Sequence, residues 1–243
     1  MLVALAVLCF VLAASGLVGG RGGWMASAVA AGLVLAILAI WTRWMRQQVI
    51  REAPLPAFLK RQLREHYPHF THKDAELVER GLRQFFLACE RSRSFVAMPS
   101  KAVDTLWHAF ILHTRAYEDW CQLALGKFLH HTPAEALGAD ARRNDGLRRA
   151  WYWSCKEEAI DPRKPSRLPL LFALDVKLQI PGGFRYEADC RDIARKSDAG
   201  GDGSGSFCGT SFSDGSSSGD ADGFGGADGG GGGGDGGGCS GGD

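Results

Sequence analysis

Four residues whose side chains can bind metals or transfer protons lie near the middle of the chain: Asp104, His108, His130 and His131. Asp104 and His108 are four residues apart, so on a helix their side chains face each other. A carboxylate beside an imidazole can orient it as a general base or supply two ligands to a divalent metal such as zinc. These four residues are therefore the candidate metal site of the chain.

Each histidine also has a structural interpretation. His108 beside Asp104 fits an orienting hydrogen bond at the edge of a core, and the adjacent His130 and His131 fit capping or packing at a corner. The helical zinc motif of metalloproteases needs two histidines four residues apart with a glutamate between them. His108 and His113 are five apart, so that motif is absent. A metal site therefore requires His130 or His131 to return to Asp104 from the segment that follows.

The spacing of apolar residues predicts one core helix from Ser100, its N-cap, to Gly126, its C-terminal end. His113 falls on the apolar stripe and is expected to be a buried, hydrogen-bonded histidine. Along a straight helix, Asp104 and Gly126 would be ~33 Å apart at 1.5 Å per residue. His130 or His131 can reach Asp104 only if this helix ends early or the loop folds back along it. The stripe comprises Val103, Leu106, Trp107, Phe110, Tyr117, Trp120, Cys121 and Ala124.

The elements around the central helix are also predicted to be mainly helical. No sustained alternation of period two occurs, so residues 46–196 are predicted to form a compact, mainly α domain. Thr71 is predicted to cap a helix with Asp74 at its N3 position, and Thr132 with Glu135 is a capping box that begins another helix. Further helices are predicted over Ala57–Tyr67, Asn144–Ala159 and Leu170–Leu178, with an extended piece over Phe184–Cys190.

Two apolar runs open the chain, Leu2–Gly20 and Trp24–Trp41. Each is close to the ~20 residues that a helix needs to cross a bilayer. Residues 1–45 are therefore predicted to be a transmembrane hairpin; the alternative is that the first run is a cleaved signal peptide. Arg43, Arg46 and Arg51 follow the second run, so the positive-inside rule predicts a multi-pass membrane protein with its body and C-terminus in the cytoplasm.

Composition changes sharply towards the C-terminus. All 28 basic residues precede Asp198, whereas eight of the 27 acidic residues lie at or after it, so the body carries nine more basic than acidic residues. Such an excess suits an anionic membrane surface and is too diffuse to indicate nucleic acid. Residues 197–243 are rich in Gly, Ser and Asp and are predicted to be a disordered tail. The seven cysteines form no C-x-x-C pair, which favours a reducing compartment and no disulfide framework.

The runs VDTLWHAFILHTRAYEDWC and GKFLHHTP resemble the conserved block of glycine-rich domain-containing proteins, first described in plants. The resemblance is closer to short bacterial membrane proteins with Gly-rich tails and covers roughly residues 54–190. It implies an α-helical domain and no established catalytic mechanism. The plant-type block has W-H-x-H, whereas this chain has Phe110 as the last residue of that pattern.

The sequence thus predicts a membrane-anchored helical domain that acts by interaction or as a scaffold. Its expected partners are the lipid bilayer and a protein, without nucleic acid. The alternative is a metal-dependent or histidine-based hydrolase that uses Asp104 and His108 with His130 and His131.

Overall fold

The structure, a computed structural model, describes residues 23–131, 141–188 and 206–212. The chain divides into two compact units, Met1–Arg51 and Glu52–Asp243. Within the described residues there are seven α-helices and two three-residue strands. The predicted mainly α fold class is confirmed.

The first unit contains helix α1 (Gly23–Glu52). Over Ala28–Glu52 this helix is long and apolar enough to cross a membrane, and none of its most apolar window is buried within the protein. A signal sequence near an N-terminus would have the same length and composition. The first apolar run, Leu2–Gly20, and with it the predicted hairpin, lies outside the described residues.

The second unit is a helical domain that also contains one pair of short strands. Strand β1 (Arg185–Glu187) pairs in parallel with β2 (Ser206–Cys208), and a 3-10 turn (Thr210–Phe212) follows. The strands extend the helical core and do not form a separate layer. The helices are α2 (Ala57–His66), α3 (His72–Ser92), α4 (Lys101–Ile111), α5 (Thr114–Ala124), α6 (Ala141–Glu157) and α7 (Leu170–Lys177).

Helix α3 is the centre of this domain, because α2, α4, α6 and α7 all pack against it. It begins as predicted after the N-cap Thr71. Asp74 N–H donates to Thr71 Oγ1 at 3.2 Å and Thr71 N–H donates to Asp74 Oδ2 at 2.8 Å, which together form a capping box. Gly81 lies at the contact of three helices, since a Cβ there would meet Leu174 and Val103 side chains at 2.4 and 2.9 Å. The missing side chain lets these helices approach closely.

The prediction of one helix from Ser100 to Gly126 is wrong. Helix α4 ends at Ile111, and α5 begins at Thr114 with His113 as its N-cap. The predicted ends are confirmed: the Ser100 hydroxyl accepts from Val103 N–H, and Gly126 has φ of 72°. His113 lies at the bend, half-buried, with Nδ1 3.0 Å from Ala109 O.

The C-terminal segment predicted to be disordered includes one ordered piece. Ser206–Cys208 forms β2, and Gly209 N–H donates to Glu187 O at 2.7 Å. Phe212 is buried against the rings of Trp151, Phe172 and Tyr186. The rest of the predicted tail and the predicted helix after Thr132 lie outside the described residues.

The four cysteines within the described residues are of two kinds. Cys89, Cys121 and Cys155 are free and buried, as their positions on apolar helix faces predict. Cys208 is disulfide-bonded, and its partner lies outside the described residues. Cys208 therefore departs from the prediction of a reducing compartment without a disulfide framework.

Candidate functional site

The beginning of α4 is held by a buried carboxylate from α7. Asp175 accepts hydrogen bonds from the Ser100 hydroxyl at 2.6 Å and from the N–H groups of Lys101 and Ala102 at 2.8 and 3.2 Å. It also accepts from Phe184 N–H at 2.9 Å. A negative charge at a helix N-terminus satisfies donors that have no partner within the helix. Asp175 therefore fixes the helix that carries Asp104 and His108.

The break between α4 and α5 brings the following segment back to α4. Trp107 Nε1 donates to Tyr117 Oη at 3.0 Å, although ten residues of straight helix would separate the two by ~15 Å. The chain turns at Leu112 and His113, and α5 packs against α4. Residues 129–131, beyond the end of α5, then reach the face of α4 that carries Asp104.

Asp104, His108 and His131 form a cluster in which one ligand atom from each lies within 4.8 Å of the others. His131 Nε2 is 3.0 Å from Asp104 Oδ1, and His108 Nδ1 is 3.7 Å from Asp104 Oδ2. The two imidazole rings have centroids 4.3 Å apart. The structure thus brings together three of the four residues that the sequence singled out.

His130 does not join this cluster. It is exposed, and its ring packs 4.8 Å from that of Phe128. Adjacent residues in an extended segment point to opposite sides, so His130 and His131 have different surroundings. His130 is therefore a matched control for any experiment on His131.

The cluster is closed on one side and open to solvent on the other. The side chain of His131 is 15% exposed, that of Asp104 31% and that of His108 52%. The indole of Trp107 packs edge-on against His131 at 4.7 Å and is itself packed against Phe85 at 4.9 Å. Trp107 therefore forms the inner wall, and His108 faces the solvent.

Two imidazoles and one carboxylate are a ligand set typical of divalent transition metals. Ligand atoms around a four-coordinate ion of this kind lie roughly 3–4 Å apart, close to the spacing in the cluster. Three protein ligands leave at least one position for water or a small ligand, as in catalytic metal sites. The residues present thus fit a divalent ion, which would supply Lewis acidity at the surface beside His108.

The buried thiols of the domain are unsuited to nucleophilic chemistry. Burial raises the pKa of the Cys121 thiol, and burial raises the pKa of Cys155 to about 12. A thiol is reactive as its thiolate, so both behave as small apolar side chains at neutral pH. The polar chemistry of α4 and α5 in the described residues is therefore that of the histidine cluster.

Sequence reasoning missed two residues that shape this site. Tyr117 was expected only as part of the apolar stripe, yet its hydroxyl donates to Leu129 O at 2.6 Å and so holds the segment that carries His131. A buried tyrosine hydroxyl needs a partner, which is the signal that was present. Asp175 lies 71 residues beyond Asp104 in the chain, and no local pattern indicates its contact with α4.

The fold and the cluster define a small helical domain that carries a surface Asp–His–His group and follows an apolar N-terminal helix. A family model matches residues 45–212, which is more than half of the chain. The chain belongs to the UCP032817-like family. No curated protein and no solved structure matches it.

Proposed function

We propose that this chain is a membrane-anchored protein whose helical domain binds a divalent transition-metal ion through Asp104, His108 and His131. The observation that carries the proposal is that these three groups, from two separate segments, lie within 4.8 Å of one another. Helix α1, with a window long and apolar enough to span a bilayer, is the proposed anchor.

The open side of the cluster supports a hydrolytic role for the metal. Asp104 and His131 would hold the ion against the Trp107 wall, while the half-exposed His108 leaves the solvent side accessible. A metal in such a site lowers the pKa of bound water and polarises carbonyl or phosphoryl groups. Without metal, Asp104 would orient His131 as a general base.

Interaction with a protein partner is the second candidate function. Leu112, at the bend between α4 and α5, is 81% exposed, and Leu123 on α5 is 61% exposed. The two residues lie at opposite ends of α5, about 16 Å apart at 1.5 Å per residue, so a partner lying along this helix would cover both. In this case the domain has no chemistry of its own, and the histidine cluster serves only to hold the segment after α5.

The topology proposed from the sequence is a two-pass anchor with the body and C-terminus in the cytoplasm. Arg43, Arg46 and Arg51 favour it through the positive-inside rule. The disulfide at Cys208 opposes it, because cytosolic thiols are kept reduced. The redox state of Cys208 in intact cells decides whether the body lies on the cytoplasmic or the oxidising side of the membrane.

The metal proposal is tested on the full chain, purified in detergent without a histidine tag. We expect elemental mass spectrometry to find one zinc, manganese, iron or cobalt ion per chain, or one Zn²⁺ to bind after chelation and refilling. His131→Ala should remove the ion, whereas His130→Ala should retain it. A parent chain that binds no metal, with His131→Ala as well folded as the parent, would leave the interaction role as the function.

A further inference from the structure

We infer that the Tyr117 hydroxyl is a positioning group that holds His131 over Asp104. His131 lies two residues after Leu129, whose carbonyl accepts the short 2.6 Å hydrogen bond from Tyr117 Oη. The inference deepens the proposed metal site, and its geometric part stands without any metal.

The hydroxyl joins three segments at one buried point. It donates to Leu129 O and accepts from Trp107 Nε1 at 3.0 Å, so α4, α5 and the segment after α5 meet there. Tyr117, Trp107 and Leu129 are all buried. Burial raises the pKa of Tyr117 above its ordinary value, so the hydroxyl stays protonated and remains a donor at neutral pH.

Tyr117 controls His131 by two routes. Through Leu129 it fixes the backbone from which the His131 side chain projects. Through Trp107 it fixes the indole that packs at 4.7 Å against the His131 ring. With both fixed, the His131 ring has one orientation towards Asp104, which is the condition for a preorganised ligand. Groups that orient metal ligands typically change metal affinity about 10–100-fold when removed.

Tyr67, the residue that follows α2, provides a control because its hydroxyl also contacts α4. Its hydroxyl lies 3.2 Å from Thr105 Oγ1 on α4, and the residue is buried like Tyr117. Removing the Tyr67 hydroxyl deletes one part-buried hydrogen bond to α4, whereas removing the Tyr117 hydroxyl deletes its bonds to both Leu129 O and Trp107 Nε1. Of these two hydroxyls, that of Tyr117 is the one bonded to the segment that carries His131.

The experiment compares Tyr117→Phe and Tyr67→Phe in the full chain in detergent, with histidine-labelled protein. The metal-independent measurement is the NMR cross-peak between the rings of His108 and His131, whose centroids are 4.3 Å apart. We expect Tyr117→Phe to lose this cross-peak and to bind Zn²⁺ at least about 10-fold more weakly. Tyr67→Phe should match the parent in both.

The outcomes separate the positioning role from the metal site. A folded Tyr117→Phe with the parent's cross-peak overturns the inference, as does loss of the cross-peak in both variants alike. A parent that shows the cross-peak but binds no Zn²⁺ overturns the proposed function, and the cross-peak in Tyr117→Phe still decides the positioning role. If Tyr117→Phe does not fold, Trp107→Phe takes its place, because it removes the indole N–H that donates to the Tyr117 hydroxyl. We expect Trp107→Phe to weaken the cross-peak between His108 and His131. An unchanged cross-peak in Trp107→Phe overturns the inference.

Discussion

The carboxylate of Asp104 lies 3.0 Å from Nε2 of His131, although 27 residues separate them in the chain. The contact depends on the end of α4 at Ile111, because a helix continuing to Gly126 would carry the following segment ~33 Å from Asp104. The cluster thus depends on where α4 ends and α5 begins, and not on a contiguous sequence motif.

Zinc should stabilise the domain through this cluster. A ligand that binds only the folded state adds about 2.7 kcal/mol to the free energy of unfolding at a concentration 100 times its Kd. We expect a corresponding rise in Tm when Zn²⁺ is added to the parent and to His130→Ala, measured by Trp fluorescence. In His131→Ala the rise should vanish. In the parent and in His130→Ala it should shrink as pH falls, because protons compete with the metal for imidazole. An equal rise in His131→Ala would place the zinc elsewhere.

Asp175→Ala should be one of the most destabilising single changes in the domain. The substitution leaves the Ser100 hydroxyl and three N–H groups without their buried acceptor. We expect a loss of about 3–5 kcal/mol in the free energy of unfolding, measured by urea titration. Asp161→Ala is the control, because the exposed Asp161 accepts from Arg163 N–H at a turn and should change stability by less than about 1 kcal/mol. Equal effects would refute the anchoring role of Asp175.

Phe212 tests whether the end of the family-matched region belongs to the fold. Phe212→Ala should lower the free energy of unfolding by about 3–5 kcal/mol, because a buried ring is lost from the contacts with Trp151 and Phe172. Phe212→Leu keeps most of the apolar volume and should lose less than half as much. Thermal unfolding measures both variants. If Phe212→Ala is as stable as the parent, Ser206–Phe212 does not pack on the domain in solution.

Much of the fold could be predicted because its signals are local. Thr71 with Asp74 marks the start of α3, Ser100 marks the start of α4, and Gly126 marks the end of α5. Each of these is a short-range hydrogen-bond or backbone requirement that the residue type itself satisfies.

The break at Leu112 could not be predicted, for a physical reason. No Gly or Pro lies between Ser100 and Gly126, and the apolar spacing continues in phase across the bend. The bend is stabilised by tertiary contacts instead, above all the hydrogen bond between Trp107 and Tyr117. Tertiary contacts also explain Phe110, which occupies the position of the second histidine in the plant-type pattern. Its ring is buried against those of Tyr117 and Trp120.

The capping box of α3 should give the stability a dependence on acidic pH. Hydrogen bonds from the Thr71 side chain and backbone lower the pKa of Asp74 from 3.8. A lowered folded-state pKa contributes stability that is present above 3.8 and is lost as pH falls through the folded value. We therefore expect Asp74→Asn to be less stable than the parent at pH 6 and the difference to narrow below pH about 4. A difference that is constant from pH 6 to 3 would contradict this assignment.

Cys208 should resist alkylation until the protein is reduced, because it is disulfide-bonded. Cys89, Cys121 and Cys155 are free but buried, so they should react only after unfolding. Intact cells are treated with a membrane-permeant thiol reagent, and the purified chain is then unfolded, with and without reductant, in a second reagent of different mass. Peptide mass spectrometry reads which reagent each cysteine carries, and Cys208→Ser should leave the labelling of the three buried cysteines unchanged.

The partner in the disulfide should be Cys9, Cys190 or Cys239, because the other three cysteines are free. If Cys208 carries the second reagent only after reduction, the body lies on the oxidising side of the membrane, and the basic residues after α1 do not set the topology. If it carries the first reagent in cells, the thiol is reduced there, as in the cytosol. The cytoplasmic orientation would then stand, and β2 would pair with β1 without a disulfide at Cys208.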